Sequence, residues 1–240
     1  MAKKSLIIAV ALLVLLAGTV AAVSAADTTN DRVIVTSGSG TVIVSPDRAE
    51  VSLGVQTENT DAKTAQQMNA AQMNSCIAAL MAAGFTKDQL QTSGYSISPI
   101  YDDSSSTFGS KVKTYRVTNT LTVKLTDINQ TGSVVDIAVA NGANDVNSIQ
   151  FLLSEEQSQA ARTVALQKAV AQTRADADTV ASSLGVQVTR VQSVDVNQGY
   201  TPVAYKSLAM DSYAAGRTST PINPSDLTVT ASVTVTYAIQ

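Results

Sequence analysis

SEEQSQAARTVALQKAVAQTRADADTVASSLG, residues 154–185, decides the fold of this chain. Apolar side chains recur in it every three or four positions, at Ala161, Ala165, Leu166, Ala169, Val170, Ala177, Val180, Ala181 and Leu184. That is the period of one helix face. Ser154 stands where an N-cap belongs, Gln157 three residues on completes a capping box, and Gly185 supplies a left-handed stop. The spacing predicts a helix over 155–184. Segments of alternating β type flank it on both sides, so its apolar stripe needs a sheet to cover it. The chain reads as α+β, its N-terminal and C-terminal strands meeting around one helical layer.

Downstream, residues 186–196 return as a strand whose alternation slips between Val188 and Val191, the signature of a bulge. The cleanest strand closes the chain, with Leu227, Val229, Ala231, Val233, Val235, Tyr237 and Ile239 on one face. Between them lies an excursion, residues 197–225, which holds Pro202, Pro221 and Pro224 and is longer than most connections. Its tyrosines Tyr200, Tyr205 and Tyr213 are the candidate interface residues, because aromatics are favoured where subunits meet. A surface loop fits the same composition.

Upstream, residues 146–153 read as a strand and residues 131–140 as a short helix closed by Asn141-Gly142. Tyr95 to Tyr101 and Tyr115 to Leu125 are strands joined by a polar, Ser-rich connection, and Pro99 favours an edge or the end of a strand for the first of them. A helix capped by Thr60 or Asp61 and stopped by Gly84 gathers Ala62, Ala65, Met73, Cys76, Ile77 and Leu80 on one arc, with Asn69 among them. Ala49, Val51, Leu53 and Val55 alternate with Glu50, Ser52 and Gln56 as a strand buried on one face. Before it, residues 32–36 and 41–44 read as two short strands, with Gly38-Ser39-Gly40 between them as a turn or bulge.

Residues 1–25 read as a targeting segment: Lys3 and Lys4, an apolar run over residues 6–23, then the small residues Ser24 and Ala25 at a cleavage position. The run is just long enough to cross a bilayer, so the segment is either a cleaved signal peptide or an N-terminal membrane anchor. Residues 26–240 form the folded domain. Without Lys3 and Lys4, 14 basic side chains face 19 acidic ones, a balance that does not attract nucleic acid.

The chain has no histidine, which removes imidazole-based nucleophilic and zinc chemistry. Its single cysteine, Cys76, cannot form an intrachain disulfide and falls on the apolar side of its helix. Gly38-Ser39-Gly40 opens no helix and lacks the lysine of a phosphate loop. Asp47, Glu50 and Glu58 read as solvated carboxylates, and Asp102-Asp103 lacks a calcium-loop spacing. Asn129-Gln130-Thr131 matches the glycosylation acceptor pattern. No catalytic, cofactor-binding or metal-binding residue is assigned.

Three stretches together resemble the SIMPL domain (DUF541) family. They are Val35-Thr36-Ser37-Gly38-Ser39-Gly40 with Pro46-Asp47 following, Leu90-Gln91-Thr92-Ser93-Gly94-Tyr95-Ser96-Ile97-Ser98-Pro99, and Tyr115-Arg116-Val117-Thr118-Asn119 through Gly142-Ala143-Asn144 to Phe151. The resemblance covers residues 32–240. It implies antiparallel or mixed sheets against a long helix and shorter helices, export or envelope association and, for some members, assembly into rings or cylinders. It transfers no catalytic constellation. The expectation is therefore an exported, non-enzymatic envelope protein, a homo-oligomer with a role in envelope integrity or stress tolerance. The alternative is an extracytoplasmic binding module for a peptide, glycan or small molecule.

Overall fold

The computed structural model describes residues 32–102, 111–197, 203–204 and 220–240. The targeting segment, Asp103 and the tyrosines Tyr200, Tyr205 and Tyr213 lie outside the described residues. In chain order the elements are β1 (Val33–Val44), β2 (Arg48–Asn59), α1 (Ala62–Ala82), β3 (Leu90–Tyr101), β4 (Val112–Leu125), α2 (Thr131–Ala140), β5 (Asp145–Leu152), α3 (Glu155–Leu184), β6 (Val188–Val196), β7 (Val203–Ala204) and β8 (Leu227–Ile239). They make two antiparallel sheets. The first runs β1-β8-β6, with the two-residue β7 also paired to β8, and the second runs β3-β4-β2-β5. The α+β class stands.

The long helix lies on the first sheet. Ser154 caps it, accepting from the Gln157 N–H at 3.2 Å, and Gly185 ends it with a left-handed φ of 69°. Six small residues at four-residue spacing form its buried stripe: Ala161, Ala165, Ala169, Thr173, Ala177 and Ala181. Val170, Val180 and Leu184, expected on the covered face, are exposed, Leu184 by 66%. The stripe is narrow because the helix sits so close to the sheet that only small side chains fit beneath it.

Gly38 and Gly40 make that approach possible and correct the expectation of a turn between two strands. β1 is one continuous strand, paired with β8 from Val33 opposite Ala238 to Val44 opposite Leu227. Both glycines point at α3. A Cβ on Gly38 would overlap the Ala169 carbonyl oxygen, and one on Gly40 would overlap the Ala165 carbonyl oxygen. Glycine within a strand marks just such an approach of another backbone. The helix also engages β1 directly: the Ser39 N–H donates to Gln172 Oε1 at 2.9 Å, and Lys168 Nζ donates to the Thr41 carbonyl at 3.0 Å. Thr36 Oγ1 donates to the Thr173 carbonyl at 2.9 Å, while the Thr173 hydroxyl pairs with the Tyr237 hydroxyl at 3.0 Å. The two buried hydroxyls thereby satisfy one another.

The second sheet is packed with larger side chains. Ala49, Val51, Leu53 and Val55 of β2 and Leu121, Val123 and Leu125 of β4 pack on Met73, Cys76 and Leu80 of α1 and on Val134 and Ala138 of α2. Asp61, not Thr60, caps α1, its carboxylate accepting from the Thr64 N–H at 2.7 Å. The strand and helix assignments for residues 95–153 hold, and of the two places that Pro99 favours β3 takes the sheet edge.

Gly40→Ala is expected to destabilise the protein by about 3 kcal/mol, the upper part of the overpacking range, because the obstacle is helix backbone. Ser39→Ala, on the exposed face, should stay within about 0.5 kcal/mol of the parent. Urea unfolding of the two variants checks the difference.

Candidate interaction surface

Several of the polar residues singled out in the sequence have a structural role. The Asp47 carboxylate, expected to be solvated, is instead a clasp. It accepts from the Ser154 N–H at 2.6 Å, while the Asp47 N–H donates to the Leu152 carbonyl at 3.2 Å. These bonds join the two points where the chain passes from one sheet to the other, between β1 and β2 and between β5 and α3. In a capping box a side chain three residues into the helix returns to the cap N–H. Here a residue 107 positions earlier in the chain does so. Partial burial opposes ionisation of Asp47, but the hydrogen bonds from Ser154 and the charge of Arg48 outweigh it and hold the carboxyl below its ordinary value.

Glu58 pairs with Arg116 at 2.7 Å on the exposed face. Glu155 and Glu156 occupy the first turn of α3, where negative charge is favourable. Asp178, on the solvated face of α3, pairs with Arg174 four residues earlier. Asn129 is exposed and donates to Asp127 Oδ1 at 2.9 Å. Cys76 is fully buried, and burial pushes its thiol above the ordinary value. Asn69, also fully buried, donates from Nδ2 to the Val55 carbonyl at 2.7 Å and to the Val117 carbonyl at 3.2 Å, tying α1 to two strands. Among the described residues no three His, Cys, Asp or Glu side chains gather in a metal-binding group.

What the structure does gather is uncovered apolar surface. The helix α3 rests on β1 and β8 and scarcely reaches β6. On β6, Val191 lies opposite Tyr237 and Val194 opposite Val235, so both point to the helix side of the sheet. They are nevertheless 52% and 53% exposed. The nearby flank of α3 is apolar too, where Leu166 and Val170 line a shallow depression with Thr163, Gln167 and Ala171. The second sheet repeats the arrangement. Its helices cover β2 and β4, while Tyr95 and Ile97 of β3, opposite Asn119 and Val117, remain 53% and 45% exposed on the helix side.

The sequence reading did not find these surfaces. The slip in alternation at Val188–Val191 was the available signal: register shifts between Val188 and Arg190 and between Val191 and Ser193 put Val191 and Val194 on one face. A further contact lay beyond sequence reasoning. Asp136 of α2 accepts from the Thr220 N–H at 3.0 Å and from its hydroxyl, so the end of the 197–225 excursion is fastened to the second sheet's helices.

A histidine-free α+β domain of two helix-backed sheets, with β6 and β3 left partly bare on the helix side, is the class that this geometry defines. Residues 34–237 match the SIMPL family, described as a protein of unknown function (DUF541), and the chain belongs to that family. It is similar to the 26 kDa periplasmic immunogenic protein of Brucella melitensis biotype 1, at 29% identity over 221 residues, 89% of this chain and 87% of the relative. The protein of the same description from Brucella abortus strain S19 is similar at the same identity and over the same shares.

Two outcomes follow from these positions. Because the folded pKa of Asp47 lies below its ordinary 3.8, its contribution is complete above that value and is lost as pH falls through the lower one. Asp47→Ala should therefore cost about 1–2 kcal/mol at pH 7, as for loss of a helix cap, and the gap to the parent should narrow only as pH falls well into the acid range. Denaturant unfolding across pH measures it. Cys76 should not react with a thiol-specific disulfide reagent in the native protein and should react stoichiometrically once the chain is unfolded in guanidinium.

Proposed function

We propose that this is an exported, non-enzymatic protein of the cell envelope that acts through self-association and contributes to envelope integrity or stress tolerance. The observation that carries this reading is the pair of bare valines on β6, Val191 and Val194, pointing to the helix side of a sheet whose helix does not reach them. Half-exposed valines gain about 1 kcal/mol each on full burial, and a second copy can supply the cover. Among the described residues β6 pairs on one side only, and association would give its other edge strand partners. Export is supported by the targeting pattern of residues 1–25 and by the periplasmic description of the relatives. Residues 6–23 lie outside the described residues, and among the described ones no helix is long and apolar enough to cross a membrane.

A second reading, an extracytoplasmic module for a peptide, glycan or small molecule, is favoured by one observation. Tyr95 and Ile97 form an exposed aromatic and aliphatic shelf on β3, beside the partly buried amide of Asn119. Such a shelf offers stacking and apolar contact with a polar group at hand.

Light scattering coupled to size exclusion, on the protein expressed with its own leader, separates the two. Self-association predicts a mass of several subunits that persists across a tenfold dilution, with detergent present if the leader is retained. A strict monomer would remove the first reading and leave the second. The intact mass of the same sample should place the mature N-terminus at Ala26.

A further inference from the structure

We propose that β6 is a self-pairing edge: two copies of this chain join antiparallel through Val188–Val196, about a two-fold axis normal to the first sheet. This rests on the self-association proposed above and names the surface that carries it. Among the described residues, β6 pairs with β8 on one side and with no strand on the other.

The order of side chains along this edge is its own complement. It reads Arg190-Val191-Gln192-Ser193-Val194-Asp195. In antiparallel pairing centred between Gln192 and Ser193, Arg190 faces the partner's Asp195, Val191 faces the partner's Val194, and Gln192 faces the partner's Ser193. The axis repeats each pair. Opposite charges directly across a strand pair are stabilising and like charges are not.

The faces agree as well as the charges. A two-fold axis normal to a sheet keeps every residue opposite one on its own face. In an unbroken strand, side chains three positions apart point to opposite faces, and this pairing would be impossible. The extra residue between Val191 and Ser193 cancels the alternation. Val191 and Val194, opposite the buried Tyr237 and Val235, both lie on the helix side, while Arg190 and Asp195, opposite Ala238 and Thr234, both lie on the other. The bulge thus makes the facing pattern symmetric about the same centre as the chemistry.

Pairing brings Val191 and Val194 of both copies together and takes them out of water beside the apolar flank of α3. The other edge of this sheet is less suited to it, because α3 already engages the Ser39 N–H and the Thr41 carbonyl of β1. The exposed edge of the second sheet at β3 carries Pro99, which removes a ladder donor. Arg190 also keeps an interaction within its own chain. With five N–H donors, a guanidinium serves that contact and a carboxylate across the edge together.

Charge exchange on the full protein tests the pairing. R190D sets Asp against the partner's Asp195, and D195R sets Arg against the partner's Arg190; each should weaken association about tenfold or more, lowering the scattering mass by at least half at a concentration where the parent is assembled. Mixing the two single variants restores both opposite-charge pairs, and so does the double variant R190D/D195R. The parental mass should return in each case. Circular dichroism confirms that each variant is folded. Parental mass in both folded single variants would overturn this interface and leave self-association standing, and is also the outcome if another part of the chain fills the edge. Failure of the mixture and of the double variant to recover would overturn the pairing register. A monomeric parent would overturn the self-association reading as well.

Discussion

The seat of α3 on β1 is the contact on which the rest of the molecule depends. Glycine on the strand and alanine on the helix let two backbones approach more closely than side chains would permit. Closeness has a second effect: a helix set so low covers little width. It spans β1 and β8 and touches β6 only slightly, leaving the bare valines that a broader, leucine-faced helix would have covered. Small residues contribute little apolar area apiece, so side-chain hydrogen bonds also hold the middle turns of the helix in place, from Lys168 and Gln172 at the strand edge to Thr173 and Tyr237 over the middle of the sheet.

The second sheet solves the same problem with larger groups. Leucine, methionine and valine fill the layer beneath α1 and α2, and the polar side chains buried with them are paired: Asn69 donates to two strand carbonyls and Thr57 to the Ala65 carbonyl. The two halves keep separate cores, and two carboxylates tie them together. Asp47 draws the two chain crossings together at Ser154 and Leu152, and Asp136 holds the returning excursion at Thr220. Loss of the Asp47 clasp would free the N-terminus of α3 and the entry to β2 at once.

Much of this architecture was legible in the residues. The bounds of α2, α3 and β8 could be read directly, because each is punctuated: Asn141-Gly142 ends α2, Ser154 and Gly185 delimit α3, and β8 alternates without interruption. Gly38 and Gly40 were misread because glycine in a strand has two meanings, an interruption or a close approach, and the deciding partner lies some 130 residues away in α3. Asp47 was misread for the same kind of reason: its hydrogen-bond partner is distant in sequence. The apolar positions of α3 were recognised, but periodicity could not say that Val170, Val180 and Leu184 would stay outside, since that follows from how low the helix sits. The irregular alternation of β6 was visible, and its consequence, two valines on one face, needed the register against β8.

The chemistry of the chain points the same way as its packing. Asp47 and Asp61 are engaged in a clasp and a cap, Glu58 and Asp178 in surface ion pairs, and the thiol is buried, while apolar side chains lie bare on β6 and β3. Association through those strands is the central claim, and hydrogen exchange read by mass spectrometry at several protein concentrations tests it most directly. Amides of β6 should become markedly slower to exchange as the protein assembles, whereas those of β1, already engaged by α3, should not change. An assembled protein whose β6 amides exchange as fast as in the dilute monomer would contradict the account.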